Sequence, residues 1–409
     1  MYPDSEVLRT SPTKHICQTF DKFKQYSHMK LLVGLFFLLI ITNSYGQDKE
    51  STLTKKTLYE IDSIFAAYAK PNSAGYAIGI VKGNNVLYTK GYGSANLDYE
   101  IPITANSAFD IASVSKQFTA ACIALLIIDK KITLETPAEE FIPELSKYKD
   151  TIRIKHLIYN TSGIVDYYKL PRPNGDSWVT FNYFDNNYCI KVSLAQDTLA
   201  FKPGDKWDYC NVNYMLLAKI VEKVSGKSFR EFCKQRLFTP LGMTHTIIND
   251  DNTEVIPNRV TPYNERTHEI VDAYRKEGFD VNYDGKWIQH PRNSPHYGGS
   301  GVVTTVNDLV KWSQNFFTKK FGGQTFYDLM YHTEKFVNGK DNQAFGLYFG
   351  TLKGRNYVAW DGGDYGVSSQ LIRFINEKVA IIVLSNIGTG EAYKKANAIA
   401  EILMDNDVL

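Results

Sequence analysis

Ser113 and Lys116 are the two residues whose types and spacing first suggest covalent chemistry. A serine hydroxyl is a weak nucleophile at neutral pH and needs a base beside it. If a helix begins here, residues i and i+3 lie on one face of it, so the lysine amine can reach the hydroxyl. An apolar wall would desolvate the amine and lower its pKa, which makes it a usable base. The flanking residues that could form this wall are Phe109, Ile111, Ala112 and Phe118. The pair therefore predicts an acyl-enzyme formed on Ser113, with Lys116 as base.

The Ser-x-x-Lys spacing occurs four times in the chain, and only its context separates one match from the others. The matches at Ser11 and Ser27 precede or enter an apparent export signal. The match at Ser146 lies in a polar segment of the kind that forms a solvated surface. Only Ser113 opens a long apolar helical pattern, so it is the candidate nucleophile.

Tyr209 and Asn211 supply the second part of such a site. Among the 27 tyrosines, only Tyr209 stands in a Tyr-x-Asn arrangement. A phenol beside a lysine can take a proton from a serine hydroxyl and afterwards give one to the leaving group. The Asn211 amide could hold the Lys116 ammonium or a substrate carbonyl. Taken alone, Tyr209 would be read as a packing residue before a helix, so its catalytic role depends on Ser113 and Lys116.

The elements that must position these residues are helices framed by strands at both ends of the chain. Alternating or apolar runs predict strands at Tyr76–Val81, Val86–Tyr92, Gln370–Phe374 and Val379–Leu384. Helical patterns run from Ser113 to Ile128, from Asn213 to a stop at Gly226, and to about Met404 near the end of the chain. We therefore predict an α+β protein with an antiparallel sheet built from both termini, flanked by helices, plus a mostly helical lobe. Within a domain of residues 47–409, the sheet lobe would comprise about 55–112 and 296–409, and the helical lobe about 113–295.

The N-terminal segment has the pattern of an export signal. A lysine follows Met29, an apolar run spans 31–41, and small residues end it at 44–46. This order is typical of a secretory signal peptide at 29–46, and the apolar run is short for a membrane span. A retained N-terminal anchor is the alternative. Since Met29 looks like a natural start, residues 1–28 would be a non-native or disordered extension. We expect an exported protein, periplasmic or secreted, without a stable membrane span in its mature form.

Composition and residue counts exclude several function classes. The chain has 409 residues and a net charge of +2, which gives no reason to expect a nucleic-acid partner. None of its eight histidines forms the His-Glu-x-x-His zinc motif, and no Gly-x-Ser-x-Gly elbow is present. The cysteines after the signal fit no metal pattern and are expected as buried free thiols, with one disulfide as the alternative; they are Cys122, Cys189, Cys210 and Cys233. We therefore expect no metal and no cofactor.

Together, the Ser113–Lys116 and Tyr209–Asn211 motifs resemble those of the serine β-lactamase-related family. That family includes class C β-lactamases, D-alanyl-D-alanine carboxypeptidases, D-aminopeptidases and β-lactamase-like carboxylesterases. The likeness covers roughly residues 55–404. It implies the β-lactamase and penicillin-binding-protein fold, Ser113 as nucleophile, and Lys116 and Tyr209 as proton carriers. It also implies an oxyanion hole made by the backbone N–H groups of Ser113 and Gly363. Asn160 stands where relatives often carry histidine, at a position expected to be structural.

The third family motif departs from the usual pattern. The family carries Lys-Thr-Gly or His-x-Gly on a strand beside the cleft, and this chain has Trp360-Asp361-Gly362, followed by Gly363 and Asp364. The family's cation adds positive potential where a substrate carboxylate lies, whereas Trp360 is uncharged and the two aspartates add negative charge. A neutral ester, or a substrate whose ammonium Asp361 or Asp364 could hold, fits these charges better. The alternative is that Asp361 faces away or caps a turn. Glycines suit the close approach of a substrate to the backbone.

We therefore expect a serine hydrolase that acts on a small molecule or short peptide, either a neutral ester or a D-amino-acid or peptide amide. One alternative is a β-lactamase or D,D-peptidase acting on β-lactams or peptidoglycan stem peptides. Another is a catalytically silent envelope protein that only binds peptide or peptidoglycan. An aromatic loop would either wall the acyl pocket or pack over the helical lobe; its members are Tyr167, Tyr168, Trp178, Phe181, Tyr183 and Phe184. The oligomeric state does not follow from the sequence.

Overall fold

The computed structural model describes residues 53–334 and 343–409. The predicted extension at 1–28 and signal peptide at 29–46 lie outside the described residues. The α-helices are α1 (Lys55–Phe65), α2 (Lys116–Ile128), α3 (Ile154–Ile158), α4 (Asn186–Leu194), α5 (Asn211–Ser225), α6 (Phe229–Cys233), α7 (His268–Lys276), α8 (Val306–Thr318), α9 (Gly323–Met330) and α10 (Ala392–Asp405). The strands are β1 (Tyr76–Lys82), β2 (Asn85–Tyr92), β3 (Ser94–Asn96), β4 (Ile101–Pro102), β5 (Phe109–Asp110), β6 (Ile247–Ile248), β7 (Tyr263–Glu265), β8 (Trp287–Gln289), β9 (Val302–Thr304), β10 (Tyr348–Leu352), β11 (Arg355–Asp364), β12 (Val367–Phe374) and β13 (Val379–Ser385).

The largest sheet confirms the predicted union of both ends of the chain. It has six strands in the order β10-β11-β12-β13-β1-β2, and every neighbouring pair is antiparallel. The N-terminal hairpin joins the C-terminal strands where Ile80 pairs with Ile381. All residues of β12 and β13 are buried, which explains why the segment Val379–Leu384 is continuously apolar and does not alternate.

Helices cover both faces of this sheet. On one face, α1 and α10 form a core with the outer side chains of β1 and β13, including Ile61, Phe65 and Leu403. On the other face, α8 approaches β1 so closely that a Cβ added at Gly79 would lie 2.7 Å from Val306 Cγ1. The sheet is therefore the middle layer of a helix–sheet–helix arrangement.

Helix α2 is the centre of the helical part. It is buried on almost all sides, as its predominantly apolar sequence requires. Helices α5 and α9 both pack against it. Helix α9 lies within residues 296–409, which were assigned to the sheet lobe, yet it packs against a helix of the helical lobe. The proposed lobe boundaries therefore stay a prediction.

The start of α2 differs from the predicted helix. Residues Ala112–Ser115 form a 3₁₀ turn, and the α-helix begins only at Lys116. The reason is local, because Ala112 has a positive φ of 43°, which an α-helix does not accommodate. In a 3₁₀ turn, residues i and i+3 are eclipsed, so Ser113 and Lys116 still point the same way.

Candidate active site

Ser113 lies in the tight turn between β5 and α2. The Asp110 carboxylate accepts a hydrogen bond from the Ala112 N–H at 2.7 Å, and Val114 N–H donates to the Ile111 carbonyl at 3.1 Å. These bonds hold Ala112 in its left-handed conformation, directly before the serine. Strained backbone of this kind persists only where its surroundings fix it, and it concentrates at functional sites.

Lys116 lies fully buried beside the serine hydroxyl. Its Nζ donates to Ser113 Oγ at 3.2 Å, to Asn211 Oδ1 at 2.9 Å and to the Gly299 carbonyl at 2.6 Å. Burial lowers the pKa of Lys116 to about 7, against the opposing attraction of the Asp166 carboxylate. A substantial fraction of this amine is therefore neutral at physiological pH and able to accept a proton.

Tyr209 completes the contacts of the serine hydroxyl. Its phenol oxygen lies 2.6 Å from Ser113 Oγ, and its ring centroid lies 4.7 Å from Lys116 Nζ. Burial raises the pKa of the Tyr209 phenol above its ordinary value, although the hydrogen bond to Ser113 opposes this shift. The phenol is therefore protonated at neutral pH. The structure brings Ser113, Lys116, Tyr209 and Asn211 together in one place.

A loop from residues 160 to 166 positions the Tyr-x-Asn segment at the start of α5. Asn160 has a positive φ of 56°, and its side-chain oxygen accepts from the Cys210 N–H at 3.3 Å. The buried Asp166 carboxylate accepts from the Asn211 N–H and, at 3.0 Å, from the Tyr168 N–H. Asp166 is thus a site residue that sequence reasoning missed. No local motif marks it, since only the fold brings this carboxylate beneath the helix.

The third motif lies on β11, directly beside the serine. A Cβ added at Gly362 would lie 2.4 Å from the Ile111 carbonyl oxygen and 3.0 Å from Ser113 N, so no side chain fits there. Nothing lies within 4 Å of the corresponding position at Gly363, which borders the cleft. The buried Trp360 ring stacks against Tyr209 with centroids 6.3 Å apart. Asp361 is exposed, yet close enough for its charge to raise the pKa of Lys116.

Asp364 does not offer the free carboxylate that the sequence suggested. Its Oδ2 lies 3.1 Å from Arg292 Nη1, and Arg292 Nη2 lies 3.3 Å from Asp110 Oδ2. The Arg292 side chain is 6% exposed. Asp364 is therefore paired within the protein, and of the two aspartates only Asp361 is left to meet a substrate ammonium. Arg292 was not singled out from the sequence, because it stands in a loop about 70 residues before its partner Asp364.

The cleft above Ser113 has a volume of about 500 Å³. Tyr167 and Tyr168 of the aromatic loop border it. Trp178 and Phe184 pack behind them in the large hydrophobic core, whereas Phe181 belongs to a separate cluster with Val271 and Tyr274. One part of the loop therefore borders the cleft and another part packs in hydrophobic clusters, and its role as a wall of the acyl pocket stays a prediction. The cleft is bordered by an exposed carboxylate, Glu269, for which no ion pair is found within the described residues.

Four cysteines lie within the described residues, and none of them is in a disulfide bond. Cys122, Cys189, Cys210 and Cys233 are buried free thiols, and Cys122 Sγ lies 3.4 Å from Cys233 Sγ. Within residues 53–334 and 343–409, no group of three or more His, Cys, Asp or Glu side chains is arranged to hold a metal ion. In the same ranges, no helix combines the length and the apolar character needed to cross a membrane.

Comparison with protein families agrees with this geometry. The family model described as Beta-lactamase matches residues 61–404. The chain belongs to the β-lactamase family. The resemblance predicted from the two motifs is thereby confirmed, and the chain is a serine hydrolase of this family.

Relatives of this β-lactamase-family chain include two kinds of curated protein. Penicillin-binding protein 4* of Bacillus subtilis (strain 168) is 29% identical over 350 residues, which cover 82% of this chain and 73% of the relative. A D-aminopeptidase of Gluconobacter oxydans (strain 621H) is 24% identical over 342 residues, which cover 83% of this chain. The matched part spans 61% of that D-aminopeptidase, less than two thirds of its length.

Solved structures confirm the β-lactamase-family fold. A penicillin-binding protein homologue from Pyrococcus abyssi superposes with a TM-score of 0.72 at 23% identity, over 85% of this chain and 77% of that chain. The D-amino acid amidase from Ochrobactrum anthropi SV3 superposes with a TM-score of 0.69 at 21% identity, over 86% of this chain and 99% of that chain. The predicted α+β, penicillin-binding-protein-like architecture is therefore correct.

Proposed function

We propose that this protein hydrolyses neutral esters or D-amino-acid amides through an acyl-enzyme on Ser113. The observation that carries the proposal is the position of Ser113 Oγ, 2.6 Å from the Tyr209 phenol oxygen and 3.2 Å from Lys116 Nζ. A hydroxyl in contact with both a neutral amine and a phenol has the proton path that nucleophilic attack needs.

The ionisation of the two proton carriers divides their roles. Lys116, whose pKa lies at about 7, is the base that accepts the Ser113 proton as the hydroxyl attacks the carbonyl. Tyr209 is protonated at neutral pH and donates to the leaving group, while its own proton is replaced from Lys116. Water then attacks the acyl-enzyme, and the same groups act in reverse. This assignment favours the lysine over a tyrosine phenolate as the general base.

The oxyanion hole consists of the Ser113 and Gly363 backbone N–H groups. Support comes from the close approach of β11 to the serine, since Gly362 leaves no room for a side chain beside Ser113 N. Gly363 borders the cleft with open space beside it, where a carbonyl oxygen can enter. Each such donor contributes about 3 kcal/mol to stabilising the charge that develops on that oxygen.

The charge of the cleft supports the choice of substrate. Trp360 places an aromatic ring where relatives carry a cation, and the exposed carboxylates Asp361 and Glu269 lie at or near the cleft. Lys116 is partly neutral and occupied by three acceptors. A substrate carboxylate would therefore find little attraction, whereas a neutral group or an ammonium fits.

The test offers the purified protein p-nitrophenyl acetate and butyrate, D- and L-alanine p-nitroanilide, and a chromogenic cephalosporin. Ser113→Ala should lower ester or D-amide turnover by at least about 10³-fold, since nucleophile removal has effects of this size in serine hydrolases. Ser146→Ala is the matched control, because Ser146 has the same Ser-x-x-Lys spacing but an exposed hydroxyl that donates to the Pro143 carbonyl. Its turnover should equal that of the wild type.

The other outcomes separate the alternatives. Preferred turnover of the cephalosporin would favour a β-lactamase or D,D-peptidase and contradict the charge argument. Absence of turnover, together with absence of a fluorophosphonate or penicillin adduct on Ser113, would favour a silent binding protein.

We also propose that the protein is exported to the periplasm or beyond. The basic, apolar and small-residue order at 29–46 supports this proposal. N-terminal sequencing of the native mature protein tests it, and a mature chain that still begins upstream of residue 29 would contradict it.

A further inference from the structure

Arg292 connects the two backbone segments that flank the cleft. Its guanidinium lies between Asp110 and Asp364, with N–O distances of 3.3 and 3.1 Å. The side chains of Arg292 and Asp110 are 6% and 5% exposed, and that of Asp364 is 15% exposed. Although burial disfavours its charge, the two carboxylates raise the pKa of Arg292, so the cation persists at any working pH.

One arm of this network reaches the serine. The second oxygen of Asp110, Oδ1, accepts from the Ala112 N–H at 2.7 Å. Ala112 carries the positive φ of 43° that turns the chain from β5 into Ser113. The orientation of the Ser113 N–H therefore depends on a turn that the Asp110 carboxylate holds in place.

The other arm reaches the end of β11. The second oxygen of Asp364, Oδ1, accepts from the Tyr365 N–H at 2.7 Å. Asp364 directly follows Gly363, and both Asp364 and Tyr365 border the cleft. The Arg292–Asp364 pair thus fixes the backbone immediately after the second proposed oxyanion donor.

We propose that Arg292 is a positioning residue that sets the separation of the Ser113 and Gly363 N–H groups by bridging Asp110 and Asp364. The inference rests on the proposed function, because it concerns the oxyanion hole of that reaction. An oxyanion hole works only when both donors lie about 3 Å from the charged oxygen, so a small displacement of one segment lowers the rate.

The chemistry of the guanidinium suits this role. Its planar fork can hold two carboxylates in fixed directions at once, which a lysine ammonium does less well. Arg259 also lies within electrostatic range of Asp110, but the ion pairs found within the described residues connect only Arg292 to both carboxylates. The bridge is therefore specific to one side chain.

The experiment compares Arg292→Met and Arg292→Lys in the full chain with the ester on which the wild type is most active. The matched control is Arg230→Met, because Arg230 also bridges two carboxylates, Asp250 at 2.9 Å and Glu254, away from the cleft. Steady-state kcat and KM are measured, together with the inhibition constant of a phenylboronic acid, which forms a tetrahedral adduct with the serine. Near-UV circular dichroism gives the folded fraction.

We expect Arg292→Met to lower kcat by about 10²-fold per folded molecule, the size of effect seen when one oxyanion donor is lost. KM should change by less than about threefold, and boronic acid affinity should fall in proportion to kcat/KM, because the interaction is made with the tetrahedral state. Arg292→Lys should recover part of the loss. Arg230→Met should leave all three quantities unchanged.

Further results decide the remaining cases. If Arg292→Met does not fold, Arg292→Lys retains the buried cation, and a wild-type kcat in that variant would overturn the positioning role. A rise in KM with unchanged kcat in Arg292→Met would also overturn it. So would an equal fall of kcat in Arg230→Met. If the wild type hydrolyses none of the substrates, the proposed function itself fails. If it is active and Arg292→Met matches it, only this inference fails.

Discussion

The proposed roles of Lys116 and Tyr209 beside Ser113 rest on how burial shifts their pKa values. The sequence places an amine and a phenol near the hydroxyl but does not rank them. In the folded chain, burial lowers the pKa of Lys116 to about 7 and raises the pKa of Tyr209, so the same desolvation leaves the amine partly neutral and keeps the phenol protonated. The proposed assignment of base and acid therefore follows from the fold and not from the sequence.

The first prediction concerns the pH dependence of the reaction. Below the pKa of Lys116 the amine is charged and cannot accept a proton, so kcat/KM should fall as pH falls through about 7. Asp166 stabilises the ammonium, and Asp166→Asn should therefore shift this acid limb to lower pH. Asp208→Asn is the control, because Asp208 is paired with Lys169 at 2.6 Å and should leave the limb unchanged. An acid limb that does not move in Asp166→Asn would contradict the assignment of Lys116 as base.

The second prediction concerns Trp360, where relatives carry a cation. Trp360→Lys should raise kcat/KM for the anionic cephalosporin, relative to p-nitrophenyl butyrate, by about tenfold or more, as expected for a new charge-assisted contact. Trp360→Met is the control, because it removes the ring that stacks on Tyr209 without adding charge. If both variants change the ratio equally, the charge of this position does not select the substrate.

At the scale of elements, β11 and the turn before α2 approach each other so closely that glycine is required at one position and not at the next. Gly362 faces the Ile111 carbonyl, where Ser369 Oγ also donates at 2.8 Å, whereas Gly363 faces open space. The sequence Gly362-Gly363 predicts a close approach of backbone but does not show which glycine provides it.

The third prediction follows from this difference. Gly362→Ala should lower the free energy of unfolding by about 1–3 kcal/mol, because the new Cβ meets backbone atoms that cannot move aside easily. It should also lower kcat, since Ser113 N lies 3.0 Å from that Cβ position. Gly363→Ala should change the free energy of unfolding by less than about 1 kcal/mol. Urea unfolding measures both values, and equal costs would show that the close approach does not exist.

At the scale of the whole molecule, the two ends of the described chain stabilise each other. Helices α1 and α10 cover the same face of the sheet, and their side chains share one core with β1 and β13. The site depends on this arrangement because β11, which carries the third motif, pairs with β12, and β12 in turn pairs with β13.

The fourth prediction tests this mutual support. Leu403 is fully buried in the shared core, so Leu403→Ala should lower the free energy of unfolding by about 2–5 kcal/mol. Met404 is the next residue of α10 and only partly buried, so Met404→Ala should cost less than about 1.5 kcal/mol. Urea unfolding followed by far-UV circular dichroism gives both values. Similar decreases in the free energy of unfolding in the two variants would mean that α10 does not cover the sheet through Leu403.

The sequence by itself determined the fold class, the family and the residues Ser113, Lys116, Tyr209 and Asn211 as candidates. The candidate nucleophile and base stand three residues apart, and apolar runs of the length of a strand or helix indicate buried elements. The family was inferred from the resemblance of the two motifs to those of known members. These signals involve residues close together in the sequence, so they can be recognised without the tertiary structure.

Only the tertiary structure shows where Asp166, Arg292 and Asp364 lie and which groups they contact. The Asp166 carboxylate raises the pKa of Lys116 by its charge, and Asp364 is not available to a substrate because Arg292 pairs with it from a distant loop. Electrostatic interactions act through space and depend on how much water the fold excludes. The sequence shows neither the distances between these charges nor how much water the fold excludes around them. The charge of the cleft could therefore be judged only from the tertiary structure.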